Sequence, residues 1–323
     1  MHAHPQPSPA LDLIGVEMEQ VEQLLAEATA GVEEPLRSML QCVLAGGKRL
    51  RPALVILVVR MFAVPDAQAC RLGAAVETLH AATLVHDDMV DKSLLRRGRK
   101  TLHSTWSSGA SVLAGDYLLA HSMGLLASLG LPRLLEVVAA ALRALCAGEV
   151  RQAFADGAGW DREAYYSSIQ SKTAALFAAA AESAGILAGA TETQLAALRR
   201  FALELGVAYQ IVDDVLDVIG DQEALGKPAG SDLRQGLLTL VTLLYLERVR
   251  GGDAVQPVVS GPMDDIQVRA AIDAIKASGA IEDALAEAGL HVRKCQEALG
   301  DLPDGAARNA LSALAQLVLN RQR

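Results

Sequence analysis

ETLHAATLVHDDMVD, residues 77–91, is an apolar run that closes on a DDxxD signature made by Asp87, Asp88 and Asp91. The flanking Leu84, Val85 and Val90 give the run helical character. On a helix, positions i, i+1 and i+4 cluster on one side, so the signature aims three carboxylates one way. Clustered carboxylates are costly unless a cation compensates them. A second copy, Asp213, Asp214 and Asp217, stands in YQIVDDVLD at 209–217, again among apolar neighbours. One chance DDxxD is expected in roughly one chain in fifteen of this length, two in only a few per thousand. A solvated face would not carry Ile211, Val212, Val215 and Leu216 around the second copy. Facing each other across a helical cavity, two such clusters would hold several hard cations with phosphate oxygens, which describes Mg²⁺ on a diphosphate.

The surrounding composition fits a large helical protein. The 323 residues are 51% hydrophobic and 3% aromatic, with mean hydropathy +0.26, enough for a sizeable core. Ala and Leu dominate and alternating β-branched runs are few, so the expected fold class is all-α, one large helical bundle around a deep central cavity. A net charge of −9 argues against a nucleic-acid surface, so an anionic ligand must be met by local cations or metal. Cys42, Cys70, Cys146 and Cys295 show no paired or metal-ligand spacing and read as small buried hydrophobes in a reducing, cytoplasmic setting. The first ten residues read as a disordered tail without the apolar segment of a signal peptide, and 11–323 as one catalytic domain. No uninterrupted apolar run reaches membrane-spanning length; the best candidate, 53–64, is broken by Arg60.

The pattern predicts helices over 11–44 with breaks near Gly31 and Pro35, from Pro52 to about Phe62, and over 67–90, 111–129 and 134–154. A basic loop is expected at 93–101 and a Gly-rich turn at 156–160. Further helices are expected over 162–188, with Gly185 as its weak point, and over 191–219, followed by a loop at 220–236 and a helical remainder.

Basic groups stand where a diphosphate site would want them. GGKRLRP at 46–52 sets Lys48, Arg49 and Arg51 at a flexible turn and a helix start, where backbone N–H groups favour anions. RRGRK at 96–100, with Arg96 and Arg97, follows the first acidic cluster at once, and an Arg fork matches phosphate oxygens. Lys172, Thr173 and Lys227 stand near helix and loop ends around the second cluster. His80 lies two turns before Asp87 on the same face and is read as a ligand contact, whereas His86 and His103 read as ordinary packed histidines.

With AGDYLLA (114–120), GEVRQ (148–152), SKTA (171–174) and GKPAGSDLRQG (226–236), these stretches resemble the trans-type polyprenyl diphosphate synthases of the isoprenoid synthase family, in that family's order and spacing. The resemblance implies the isoprenoid synthase fold, usually a homodimer. It implies prenyl transfer from an allylic diphosphate, farnesyl or geranylgeranyl, to isopentenyl diphosphate with three Mg²⁺ ions. By the same resemblance Asp87, Asp88 and Asp91 bind metal on the allylic diphosphate, and Asp213, Asp214 and Asp217 face them, the first as the firm ligand and the others partly through water. Arg96, Lys172 and Lys227 hold the allylic diphosphate; Lys48, Arg51, His80 and Arg97 hold isopentenyl diphosphate; Thr173 and Gln210 sit beside the carbocation. An all-trans polyprenyl product could tie the enzyme loosely to membranes.

The growing chain is expected to run along the helix that ends in Asp87, past Thr83 and Ala82 and then Leu79, Ala75 and Ala74. A helical turn rises about 5.4 Å, comparable to one isoprene unit, so the small Ala82 leaves the tunnel open to a medium-to-long product. Two departures stand out: Leu237 where some short-chain members carry a phosphate-binding lysine, and Val241 where proline is common. Arg321 and Arg323 could reach the site from the C-terminus or be solvated. A terpene cyclase of the same fold has no need of GGKR, and a non-catalytic subunit loses aspartates or basic motifs that this chain keeps. A ferritin-like bundle would want Glu-x-x-His pairs at the clusters, which are absent there.

Overall fold

The computed structural model describes residues 13–62, 66–96, 98–154, 161–220, 229–249 and 263–320. Arg97, Lys227, Arg321, Arg323, the first ten residues, the Gly-rich turn 156–160 and residues 221–228 of the expected loop 220–236 lie outside them. The described chain is helical except for one two-stranded hairpin, as the composition predicts. It divides into two compact units, one of Met1–Ala140, Ala178–Arg200 and Ala298–Leu314, the other of Ala141–Phe177, Phe201–Glu297 and Ala315–Arg323.

In the first unit, α1 (Gly15–Glu27), α2 (Leu36–Leu44), α3 (Leu50–Met61) and α4 (Asp66–Val90) follow one another. Gly31, with φ 74°, and Pro35 mark the break between α1 and α2 where the sequence placed it. Helix α3 is buried from Arg51 through Val59, which is why it carries no polar face. Helix α4 packs most extensively on α6 (Ser108–Ser128), and also on α3 and α1. The basic loop turns out to be a hairpin, β1 (Leu95–Arg96) paired antiparallel to β2 (Arg99–Lys100), with Gly98 at φ 72° in its turn. The short α5 (Leu102–Thr105) leads into α6, and α7 (Pro132–Ala153) follows.

Among the described residues one helix, Ser108–Ser128, is long and apolar enough to cross a membrane, at mean hydropathy 1.2. The sequence pattern predicts this helix over 111–129; Asp116, serines and glycines interrupt its apolar run. Its buried residues Ser111, Ala114, Gly115, Leu118, Ser122 and Leu126 form a single helical stripe, the pattern of one-sided packing on protein.

The expected helix 162–188 is divided at its middle, into α8 (Arg162–Ile169) and a π-helical turn (Gln170–Ala174), both in the second unit, and α9 (Ala175–Leu187), which belongs to the first unit from Ala178 on. The irregularity falls on the SKT motif; Gly185 continues α9 and lets Leu195 and Leu198 approach closely. Helix α10 (Glu192–Ile219) carries the second acidic cluster, followed by α11 (Ser231–Gln235), α12 (Leu240–Arg248), α13 (Asp265–Ser278), α14 (Ala280–Leu299) and α15 (Ala306–Leu319). Asp264 caps α13 by accepting from the Ile266 and Gln267 N–H groups, and Gly279 at φ 81° ends it. Cys70 and Cys295 are buried as expected, but Cys146 is exposed, since it falls on the outer face of α7.

Candidate active site

Both acidic clusters stand at the C-terminal ends of long helices. Asp87 and Asp88 lie in the last turn of the 25-residue α4, and Asp213, Asp214 and Asp217 in the last two turns of the 28-residue α10. Neither helix has a basic residue in its last turn. The macrodipole adds negative potential at such an end, so each cluster needs positive charge from elsewhere.

In the first unit that charge comes from the hairpin. Arg96 Nε donates to Asp88 Oδ1 at 2.7 Å, so the structure brings together the first acidic cluster and the basic segment after it. Burial pushes the Asp88 carboxyl above its usual range, and the Arg96 charge opposes the shift without cancelling it. Asp87 is half-buried and Asp91 exposed just past the helix end, where Lys92 turns the chain at φ 51°. Thr101 fastens the hairpin base by donating its hydroxyl to the Ser93 carbonyl at 2.7 Å. His80 is half-buried one turn above Ala82 and Thr83, both buried; the Thr83 hydroxyl donates to the His80 carbonyl at 2.8 Å.

The three cations of GGKRLRP part company. Lys48 is exposed and Arg51 is buried. Arg49, in the left-handed region at φ 50°, turns inward: its guanidinium donates to Leu44 O at 2.6 Å, to Glu77 at 3.1 Å and to Glu22 at 2.6 and 3.1 Å. It therefore ties α1, the end of α2, the start of α3 and α4 together, a role the sequence pattern did not separate from that of its neighbours. His86, read as an ordinary packed residue, lies against Gly115 of AGDYLLA so closely that a Cβ there would collide with the ring.

In the second unit the motif residues form one connected group. The Thr173 hydroxyl, on the π-turn, donates to Gln210 Oε1 at 2.7 Å, and Gln210 Nε2 donates to Asp214 Oδ1 at 2.7 Å. The Tyr165 hydroxyl, from α8, donates to Asp214 Oδ2 at 2.6 Å. Both Asp214 oxygens thus accept from protein donors. Burial, joined by the charge of nearby Asp232, pushes its carboxyl well up despite those two bonds. Asp217 is buried too: its Oδ2 accepts from the Asp232 N–H at 3.0 Å and its carbonyl from Gly230 at 2.7 Å, holding the start of α11. Asp213 alone of the three is exposed. Lys172 pairs with Glu149 of GEVRQ at 2.7 Å.

Glycines set the position of the π-turn. A Cβ at Gly148 would lie 2.7 Å from Ser171 Cβ, and one at Gly206 would lie 2.5 Å from Ala174 Cα. Helices α7 and α10 thus approach the turn more closely than any side chain permits. Tyr165, Glu149, Gly148 and Gly206 were all missed as site residues, although isolated glycines in apolar helical runs were a visible signal. Among the described residues no three carboxylate, imidazole or thiolate groups converge as a ready ion cage. Both clusters offer hard oxygen donors, and the first has a cationic group beside them in Arg96, an arrangement that suits Mg²⁺ arriving with phosphate oxygens of its own.

Known proteins resemble this chain along most of its length. The polyprenyl synthetase family model matches residues 33–274. The heptaprenyl diphosphate synthase component 2 of Geobacillus stearothermophilus is 38% identical over 313 residues, covering 96% of each chain. The nonaprenyl diphosphate synthase of Mycobacterium tuberculosis is 35% identical over 308 residues, 94% of this chain and 91% of that one. A crystal structure of a polyprenyl synthase from Caulobacter crescentus, complexed with calcium and isoprenyl diphosphate, matches with a TM-score of 0.92 at 34% identity, covering 99% of this chain and all of that one. Matching motifs, fold and length place the chain in the polyprenyl synthetase family of trans-prenyltransferases.

Proposed function

We propose that the protein joins isopentenyl diphosphate to an allylic diphosphate, farnesyl or geranylgeranyl, in a Mg²⁺-dependent trans-prenyl transfer that makes a medium-to-long polyprenyl diphosphate. The observation that carries this reading is the placement of both DDxxD clusters at negative helix ends, the first of them with the Arg96 guanidinium on Asp88. Asp87, Asp88 and Asp91 in the first unit, and Asp213 in the second, are the proposed metal ligands. Asp214 and Asp217, turned inward, support the second cluster from behind. Mg²⁺ held by these carboxylates would supply positive charge to the departing diphosphate.

Arg96, Lys172 and Lys227 bind the allylic diphosphate, and Lys48, Arg51, His80 and Arg97 bind isopentenyl diphosphate. These cations stabilise the leaving diphosphate more than the intact ester, which is what accelerates carbon–oxygen cleavage. Thr173 and Gln210 set hydroxyl and carbonyl dipoles beside the allylic cation. The apolar stretch Leu79, Ala75 and Ala74, fully buried below Ala82, excludes water that would quench it. Ala82 leaves room along the α4 wall for a product beyond about twenty carbons, one isoprene unit per turn of about 5.4 Å.

We further propose a homodimer through α6. Its outward face carries Gly109, Leu113, Ala120, Gly124 and Ala127, all exposed, with Asp116 the one charge among them. The test of the catalytic reading is product analysis with purified protein, farnesyl diphosphate, isopentenyl diphosphate and Mg²⁺. A ladder of products beyond geranylgeranyl diphosphate, abolished by chelation, is expected. No prenyl product, or full activity in chelator, overturns the assignment.

A further inference from the structure

We propose that Tyr165 and Asp214 are positioning residues that fix which way the Gln210 amide points, keeping its carbonyl oxygen on the Thr173 side. This rests on the prenyl-transfer reading, in which Thr173 and Gln210 flank the allylic cation. The argument starts from donor and acceptor inventory. An amide has one end that donates and one that accepts, and the two differ little in shape, so only its hydrogen-bond partners decide its orientation. A carboxylate only accepts. The Asp214 oxygen 2.7 Å from the Gln210 amide therefore requires the NH₂ end, which turns the carbonyl oxygen toward the Thr173 hydroxyl, 2.7 Å away.

For a cation the choice matters in sign. A carbonyl oxygen stabilises positive charge, and a flipped NH₂ group would oppose it. Once its hydroxyl proton is given to Gln210, Thr173 keeps oxygen lone pairs for the same purpose. Asp214 is thus an anchor for polarity, and Tyr165 is what holds the anchor. Its buried hydroxyl donates to the other Asp214 oxygen at 2.6 Å, so the carboxylate cannot swing away from Gln210 without losing that bond.

The backbone builds the same arrangement. Tyr165 and Thr173 are eight residues apart, which on a regular α-helix would set them roughly 80° apart in azimuth. The π-helical turn at Gln170–Ala174 inserts one residue, so the pair behaves like a separation of seven, within roughly 20° of one face. Gln210 and Asp214 are one turn apart on α10 and share a face there. Two helical segments thus present two groups each to one hydrogen-bonded chain.

The experiment measures kcat, KM for both diphosphates and the Mg²⁺ activation midpoint for Tyr165→Phe, Asp214→Asn, Gln210→Ala, Gln210→Glu and selected pairs, with circular dichroism to verify folding. Tyr165→Phe is expected to lower kcat about tenfold, with the KM values and Mg²⁺ midpoint within about twofold of wild type. Tyr165→Phe combined with Gln210→Ala is expected to be no slower than Gln210→Ala alone. Gln210→Glu sets carboxylate against carboxylate; adding Asp214→Asn restores a donor–acceptor pair and is expected to recover activity over Gln210→Glu, even if Tyr165→Phe folds poorly. A raised Mg²⁺ midpoint in Asp214→Asn would make Asp214 a metal ligand and overturn the proposal, as would additive losses in the first pair or no recovery in the second. Wild-type protein that yields no prenyl product in this assay overturns the underlying function instead.

Discussion

At the scale of single residues, the fold separates side chains proposed to meet ligand from those that hold the protein. Arg51 and Arg49 are two positions apart, yet Arg49 is engaged by Glu22, Glu77 and the Leu44 carbonyl. Arg51→Ala is expected to raise the KM for isopentenyl diphosphate by roughly ten- to a hundredfold, the loss of one charge-assisted clamp of about 1.5–3 kcal/mol. Arg96→Ala should act on the allylic substrate by a comparable factor, and steady-state kinetics with each substrate varied in turn checks the pair; the reverse pattern means the two subsites are swapped. Ala82 is buried on α4, and a ring there would fill the space that the small side chain is proposed to leave for the growing product. Ala82→Phe is therefore expected to shorten the product by one or more isoprene units, since overfilling a packed wall costs about 1–3 kcal/mol. An unchanged product ladder by chromatography refutes that reading of the wall.

At the scale of elements, the site depends on close helix crossings at glycine. Gly206→Ala would press a methyl onto the Ala174 backbone, which cannot give as a flexible side chain would. It is expected to destabilise the fold by about 1–3 kcal/mol and to lower kcat by shifting Thr173. Gly289→Ala on α14, whose Cβ would meet only the Arg293 guanidinium at 3.9 Å, is expected to leave kcat unchanged and to gain up to about 1 kcal/mol of stability. Thermal melts and kcat on the two variants decide it; equal behaviour removes the crossing argument. Most helices were legible from apolar periodicity and from Pro and Gly at their ends, as Pro35, Pro52 and Gly279 illustrate. The π-turn was not, because one inserted residue shifts the phase of a helix without breaking its apolar run. The spacing i, i+1, i+4 likewise announced Asp213, Asp214 and Asp217 as a cluster, but not that Tyr165 and the Asp232 N–H, remote in sequence, would claim two of them. Arg49 was misjudged for a related reason: composition counts charges, and only folding shows which are neutralised internally.

At the scale of the whole molecule, the carboxylates at the ends of α4 and α10 have a thermodynamic side. The chain carries a net charge of −9, and the two helix ends lack basic residues in their last turns. In the proposed reading, the ligand-free protein holds electrostatic repulsion that Mg²⁺ bound with the diphosphate would relieve, so that catalytic fitness opposes resting stability. Asp213→Asn should remove one such charge and raise the melting temperature in chelator by about 0.5–1.5 °C, from a contribution of about 0.3–1 kcal/mol. With Mg²⁺ and an unreactive diphosphate analogue at a hundred times its dissociation constant, wild type should gain about 2.7 kcal/mol and overtake the variant. A variant that melts below wild type in chelator would show that Asp213 stabilises the empty fold. The order of melting temperatures is thus expected to invert on ligand addition, which would leave such an enzyme most open to unfolding and proteolysis when its precursors run short.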